Sequence, residues 1–236
     1  MAMLVFPTRL YRPQSLRVTL LGAALDGGRS LAGESQFADF AAGGIWEVEF
    51  GEAPAWRRDQ VLAWRAFAAA ADSGAADVVV PLADRRHQPL VNPLSTSDPF
   101  GLSVWDDGLT PWTPDQVTAE VTADAALGDT ELACTFDGPV RLTGGEHFSI
   151  LHPNWGWRLH RITRVRAGGL GTGDPTVVDF RPPLREAIVA GDSPATLLNF
   201  DSPRCLMHLD GEVDLSVEQL RFGRASARFR EAGKPA

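Results

Sequence analysis

The amino-acid sequence predicts a mainly β protein: a β-sandwich or barrel flanked by one α-helix, with a small, barrel-like β module inserted into it. Three observations carry this expectation. Residues 44–50 (GIWEVEF) alternate Trp46, Val48 and Phe50 with Glu47 and Glu49, the period of a half-buried strand. Only the stretch 54–72 spaces its apolar residues by three and four, as a helix packed on one face requires. From Val117 onward, short strand-like segments recur at intervals of roughly ten residues, the rhythm of a small barrel or sandwich.

Taken in order, residues 16–21 (LRVTLL) and 44–50 read as strands. Asp26-Gly27-Gly28 reads as a turn between them and 30–40 as a further strand, which together make a meander. In the helix, Val61, Trp64, Phe67 or Ala68, and Ala71 share a face, Pro54 suits the first turn and Ser73-Gly74 the end. A helix of about four turns is marginal alone, so Trp64 and Phe67 are expected to pack it as a lid on a sheet. Residues 77–82 form a short strand ended by Pro81. Residues 83–114 are rich in Pro, Asp, Ser and Gly and read as a long loop or linker. Phe100, Trp105 and Trp112 within it are more apolar than a solvated linker needs, which makes them candidate subunit contacts.

The middle segment offers strands at 117–122, 130–134, 147–151, 157–165, 175–180 and 195–198, separated by turns at Gly144-Gly145, Pro153-Asn154 and Gly168-Gly169. Longer strands return at 204–209, 212–219 and 219–230, with Asp210-Gly211 as a hairpin signal. The expected organisation is therefore one β domain from residues 1–100 and 200–236, an all-β module at 115–199, and the 83–114 linker.

At 236 residues, with 44% hydrophobic and 22% charged, the chain is long and apolar enough to bury a core. A net charge of −8 and a pI near 5.1 disfavour nucleic-acid phosphates and anionic membrane surfaces as partners. Cys134 and Cys205 are too few for a disulfide framework and are expected as free, buried thiols. Residues 1–6 meet Pro7 too soon for a signal sequence, and no apolar run reaches the ~18 residues of a membrane helix, so synthesis in the cytoplasm is expected.

The chemistry-bearing residues are sparse. His147, His152 and His160 gather around one hairpin, but strand parity sends His147 and His152 to opposite faces. No zinc-ligand spacing is present, so they read as surface or subunit-contact histidines and no metal is expected. The glycine-rich run 168–173 is followed by Asp174-Pro175 and a strand, not by the helix that a phosphate loop needs. Glu47 with Glu49 fits the solvent face of a strand, and Asp106 with Asp107 has the character of a chance pair in an acidic chain. No nucleophile elbow or reactive-cysteine context appears, so no catalytic residue, no cofactor and no enzymatic activity are expected. At the hairpin tip 152–157, Trp155 and Trp157 flank a glycine; such aromatics either fold back on their own sheet or anchor a neighbouring subunit.

The linear order of several phrases resembles a family of small tail proteins of bacteriophages and prophages. They are Leu4-Val5-Phe6-Pro7, Leu31-Ala32-Gly33-Glu34-Ser35-Gln36, Gly44-Ile45-Trp46 and the Ala-rich helix after it. In the middle module come Leu142-Thr143-Gly144-Gly145-Glu146-His147-Phe148-Ser149-Ile150, Leu159-His160-Arg161-Ile162-Thr163 and Arg181-Pro182-Pro183-Leu184-Arg185. Relatives in that family usually carry Gly-Asp where Gly145 precedes Glu146 here, and the segment 85–114 is longer than usual. The resemblance implies a distal or minor tail protein with a tail-tube-like β fold. It implies a ring, commonly a hexamer, at the end of the tail tube. The implied partners are other copies of the chain, the tail tube protein, a hub or baseplate protein and the tape measure protein. The implied location is the virion tail tip, after assembly in the host bacterial cytoplasm. An acidic lumen would let DNA pass without holding its phosphates. The competing expectation is a carbohydrate- or receptor-binding β module that uses Trp105, Trp112, Trp155 and Trp157 as stacking platforms.

Overall fold

The computed structural model describes residues 3–8, 13–22, 24–29, 35–39, 43–82, 87, 89–91, 117–136, 140–168, 170–171, 175–191, 196–211, 214–217 and 223–235. The chain is mainly β with one α-helix among the described residues, and it divides into two compact units. The first takes both chain ends, Met1–Ala83 and Arg204–Ala236; the second is Asp84–Pro203.

The first unit contains β1 (Leu4–Val5), β2 (Ser15–Leu21), β3 (Ala24–Arg29), β4 (Ser35–Asp39), β5 (Ile45–Ala55), α1 (Arg58–Ala70) and β6 (Val78–Pro81). Nine strands later in the chain order it resumes with β16 (Arg204–Leu209), β17 (Asp214–Val217) and β18 (Gly223–Glu231). The main sheet runs β1-β6-β16-β18-β5-β2, with β17 also paired to β18. β1 and β6 are parallel and the other pairs antiparallel. The expected amino-terminal meander is therefore corrected: β2 pairs β5 across the β3–β4 hairpin, and the carboxy-terminal β18 lies between β5 and β16.

Three local readings also change. Asp26-Gly27-Gly28 lies inside β3, where the register with β4 is irregular between Asp26 and Arg29, so the turn signal marks a bulge. β5 continues through Pro54 to Ala55, and the helix starts only at Arg58, because β18 pairs with β5 out to Gly223 opposite Ala55. Asp210-Gly211 is not a hairpin: β16 and β17 lie one after the other along the same edge of β18, β16 through Met207–Leu209 and β17 through Asp214–Val217.

The alternation of β5 buries Trp46, Val48 and Phe50. On the opposite face, Glu47 is also largely covered, because Arg228 reaches it at 2.5 Å and Arg230 at 3.8 Å. Its expected solvent exposure is corrected by the cross-strand arginines of β18. The helix begins with the Gln60 side chain reaching back to accept from the amides of Trp56 and Arg57, the two residues just before it, which is the return half of a capping box. Its buried face is Trp64, Phe67 and, just past its end, Ala71, so the lid expected from the sequence is present. Phe6 binds lid to sheet, with ring centroids 5.7 Å from Trp64, 5.1 Å from Phe67, 4.8 Å from Phe50 and 5.0 Å from Phe229. The helix is followed by a 3-10 turn at Asp72–Gly74, where Gly74 has φ +93° and a Cβ would lie 2.5 Å from the Leu209 carbonyl oxygen. Only glycine fits there without displacing β16.

The second unit contains β7 (Leu90–Val91), β8 (Thr118–Val121), β9 (Glu131–Phe136), β10 (Val140–Arg141), β11 (His147–His152), β12 (Gly156–Ala167), β13 (Leu170–Gly171), β14 (Thr176–Arg181) and β15 (Leu197–Asn199). Six of them close an antiparallel barrel in the order β11-β12-β14-β9-β8-β15, sealed where Ser149 of β11 meets Asn199 of β15. Register shifts between β12 and β14 at Ile162/Arg164 and Val165/Ala167 supply the bends that closure needs. β7 pairs with β10, so part of the expected 83–114 linker is strand. Phe148, Ile150, Ile162, Val178, Phe180, Leu132, Cys134, Phe136 and Phe200 fill the interior.

After β14, residues 182–188 run across one end of this barrel. Leu184 and Ile188 join the apolar core. The Gly128 amide donates to Leu184 O at 3.0 Å, Leu184 N to Asp129 O at 2.9 Å, and Ala125 and Ile188 exchange bonds of 2.9 and 2.8 Å. The β11–β12 turn, the β8–β9 turn and the end of β14 all lie at this end of the barrel.

Candidate functional site

The β11–β12 register sets the site. Phe148 lies opposite His160, Ile150 opposite Arg158 and His152 opposite Gly156, so His152, Arg158 and His160 share the inner face with the apolar core. They form a polar layer at the hairpin-tip end. All three are at most 1% exposed, which corrects the expectation of surface or subunit-contact histidines. The His160 ring stacks on Phe148 at 5.3 Å and meets Phe180 edge-on at 5.1 Å. Its Nδ1 lies 2.8 Å from the Pro182 carbonyl oxygen, so Nδ1 carries the proton and Nε2 the lone pair. The His152 and His160 rings are 6.4 Å apart between centroids.

Arg158 donates from Nε to the Trp155 carbonyl at 3.0 Å and lies over the Trp155 ring, 5.2 Å from its centroid. Trp155 is thus half-buried against its own barrel. Trp157 is also half-buried and faces outward, opposite Leu151. The tip is further held by Asn154, whose amide donates to Glu186 Oε2 at 3.1 Å and whose side chain donates to Glu186 Oε1. Phe100, Trp105 and Trp112 lie outside the described residues, so of the five candidate contact residues only Trp155 and Trp157 are placed.

Burial sets the electrostatics. It lowers the pKa of His152 to about 4, opposed by Glu186 and aided by Arg158. It lowers that of His160 to about 3, helped by His152, Arg185 and Arg158 and opposed by the hydrogen bond to Pro182. Both imidazoles are therefore neutral at pH 7. Burial raises the Cys134 thiol to about 12, which leaves it an inert part of the barrel core, and Cys205 is buried and free as well.

The opposite face of β11 and β12 holds a second polar group. Arg161 donates from Nε to His147 Nε2 at 2.9 Å, and the His87 ring packs edge-on to His147 at 4.4 Å. His147 and His152 thus do point to opposite sides of the barrel wall, as their parity requires. Before β11, the buried Glu146 carboxylate accepts from the Thr143 amide at 2.6 Å, the Thr143 hydroxyl at 2.7 Å and the Gly144 amide at 2.7 Å. Among the described residues, no group of three or more His, Cys, Asp or Glu side chains could hold a metal ion.

Sequence reasoning missed Arg158, Glu186 and Glu146 as structural groups. A signal existed for Arg158, since it shares parity with His160 and Ile162 along β12. Glu186 gives none, because its partner Asn154 is 32 residues away. No protein-family model matches the chain, and no curated protein matches it.

Proposed function

We propose that the chain is a structural subunit of a phage tail, forming a ring at the distal end of the tail tube and joining it to the hub or baseplate. The observation that supports this reading most is the sheet of the first unit. It is built from both chain ends, carries a single helix as its lid, and ends on the seven-residue strand β2, whose one partner among the described strands is β5. A closed barrel has no edge to offer, whereas a sheet that ends on a long strand can be extended by a strand from a neighbouring copy. Tail-protein phrases from both units of the sequence point the same way. In this role the protein is a structural component rather than an enzyme, and it works without a cofactor.

The test is the mass of the purified full chain in solution, with negative-stain electron microscopy of the same sample. Rings of about six subunits are expected, as the resemblance implies. A stable monomer that forms no rings and is absent from virions would overturn the reading. Among the described residues no helix is long and apolar enough to cross a membrane.

Trp155→Ala is expected to lower stability by about 1–2 kcal/mol, measured by thermal melting, because it removes the ring under a buried guanidinium. Ring formation is expected to survive it. Lost assembly at an unchanged melting temperature would instead make Trp155 a subunit anchor. A carbohydrate- or receptor-binding module is the second reading, favoured by the partial exposure of Trp155 and Trp157. Glycan binding by the isolated chain without ring formation is the result that distinguishes it.

A further inference from the structure

The polar end of the barrel holds groups that an assembly role does not use. His152 is 1% exposed, and neither of its ring nitrogens has a hydrogen-bond partner; His160 is fully buried, and its Nε2 has none. Neutral imidazoles tolerate such a place at a modest cost, but a cationic one has gained an N–H with no acceptor in a site closed to water. The charged and titratable groups facing the pair are Arg158 from β12 and Arg185 and Glu186 from the segment 182–188, together with each imidazole facing the other. Two guanidinium groups against one carboxylate leave this end of the barrel poorly suited to another positive charge.

The segment 182–188 lies against the histidines and is fastened to the rest of the barrel at Pro182, Leu184, Glu186 and Ile188. His160 holds it at Pro182, Asn154 holds it at Glu186, and the backbone bonds of Leu184 and Ile188 fix it to the β8–β9 turn. The barrel ladder itself closes elsewhere, through Ser149 and Asn199. Releasing 182–188 therefore opens one end and leaves the six-strand closure in place.

We propose that His152 and His160 make this end of the barrel an acid-labile latch: their protonation releases residues 182–188 and the β11–β12 tip, uncovering Leu184, Ile188 and the Trp155 ring. The sign follows from the lowered pKa values. The open form, with its histidines in water, binds protons near the ordinary value of about 6.5, and the closed form only near 4 and 3. The closed form is thus fully favoured above about pH 6.5 and loses ground as pH falls from there towards 4.

Hydrogen exchange of the full chain, followed by mass spectrometry at pH 7 and pH 5 and corrected for intrinsic rates, tests this. Each imidazole is expected to raise the opening equilibrium by about 20-fold between the two pH values, seen as lost protection at 150–160 and 176–188. His152→Gln and His160→Asn, the latter keeping a donor near the Pro182 carbonyl, are each expected to remove about that factor. Glu186→Gln, which keeps an acceptor for Asn154, is expected to leave the acid response in place. Equal protection of the wild-type chain at both pH values would overturn the latch whether or not any variant folds. So would a full acid response in the His152→Gln/His160→Asn double variant, or its disappearance in Glu186→Gln.

Discussion

Phe6→Ala is expected to cost the first unit about 3–5 kcal/mol, the usual range for deleting a fully buried ring. Phe6 is 1% exposed and touches four other aromatic rings, two on the helix and two on the sheet. Its amide also donates to Val79 O at 2.9 Å, fixing β1 beside β6. The wall left behind is made of Trp64, Phe67, Phe50 and Phe229, rigid side chains that collapse poorly into a void. The loss is read from the urea midpoint at unchanged m-value, together with faster hydrogen exchange of 58–70. Phe6→Leu, which restores most of the volume, is expected to recover more than half of it. If Phe6→Ala and wild type unfold at the same midpoint, the helix is not held by this ring.

Glu146→Ala is expected to destabilise the barrel by about 2–4 kcal/mol, because three donors lose a charged acceptor at once. Gly144 and Gly145 both have positive φ, +95° and +99°, and the turn they form is held by this carboxylate together with the backbone bonds that Gly145 N makes to Ile162 O at 2.8 Å and Ile162 N makes to Glu146 O at 2.9 Å. Glu146→Asp tests whether chain length matters. A side chain shorter by one methylene cannot keep both carboxylate oxygens on Thr143 and Gly144 from the same backbone position, and a loss of about half that of alanine is expected. Asp at this position matching wild type in denaturant unfolding would show that the clasp tolerates either length. The comparison bears on the tail-protein resemblance, in which the residue after the glycine is usually Asp.

Much of the fold was legible because it depends on local periodicity. Trp46, Val48 and Phe50 at period two, and Trp64, Phe67 and Ala71 at spacings of three and four, declare which faces are buried before any partner is known. The short strands after Val117 announced a small barrel in the same way, and the barrel is closed. Local turn chemistry was less dependable. Asp26-Gly27-Gly28 and Asp210-Gly211 both look like hairpin turns, yet the first lies inside β3 at a register irregularity against β4, and the second lies between two strands that both pair with β18. A turn dipeptide reports permitted backbone angles, and those are shared by turns and bulges.

The candidate site was less legible still. Parity placed His147 and His152 on opposite faces correctly, but it could not say that both side chains are buried. That depends on closure of the barrel inside and on the His87 ring and Arg161 side chain against His147 outside, which are contacts between residues far apart in sequence. Likewise nothing near Glu186 in the sequence marks Asn154 as its partner, and nothing near Glu47 marks Arg228, 181 residues away. By itself the sequence determined the type of each main element, the buried face of the helix and the acidic, cysteine-poor character of the chain, since these follow from neighbouring residues and composition. Tertiary structure alone decided which strands pair, that β18 lies between β5 and β16, and that two histidines and an arginine end up inside the barrel. Those outcomes depend on contacts between residues far apart in sequence, and no local pattern encodes a burial that the partner strand supplies.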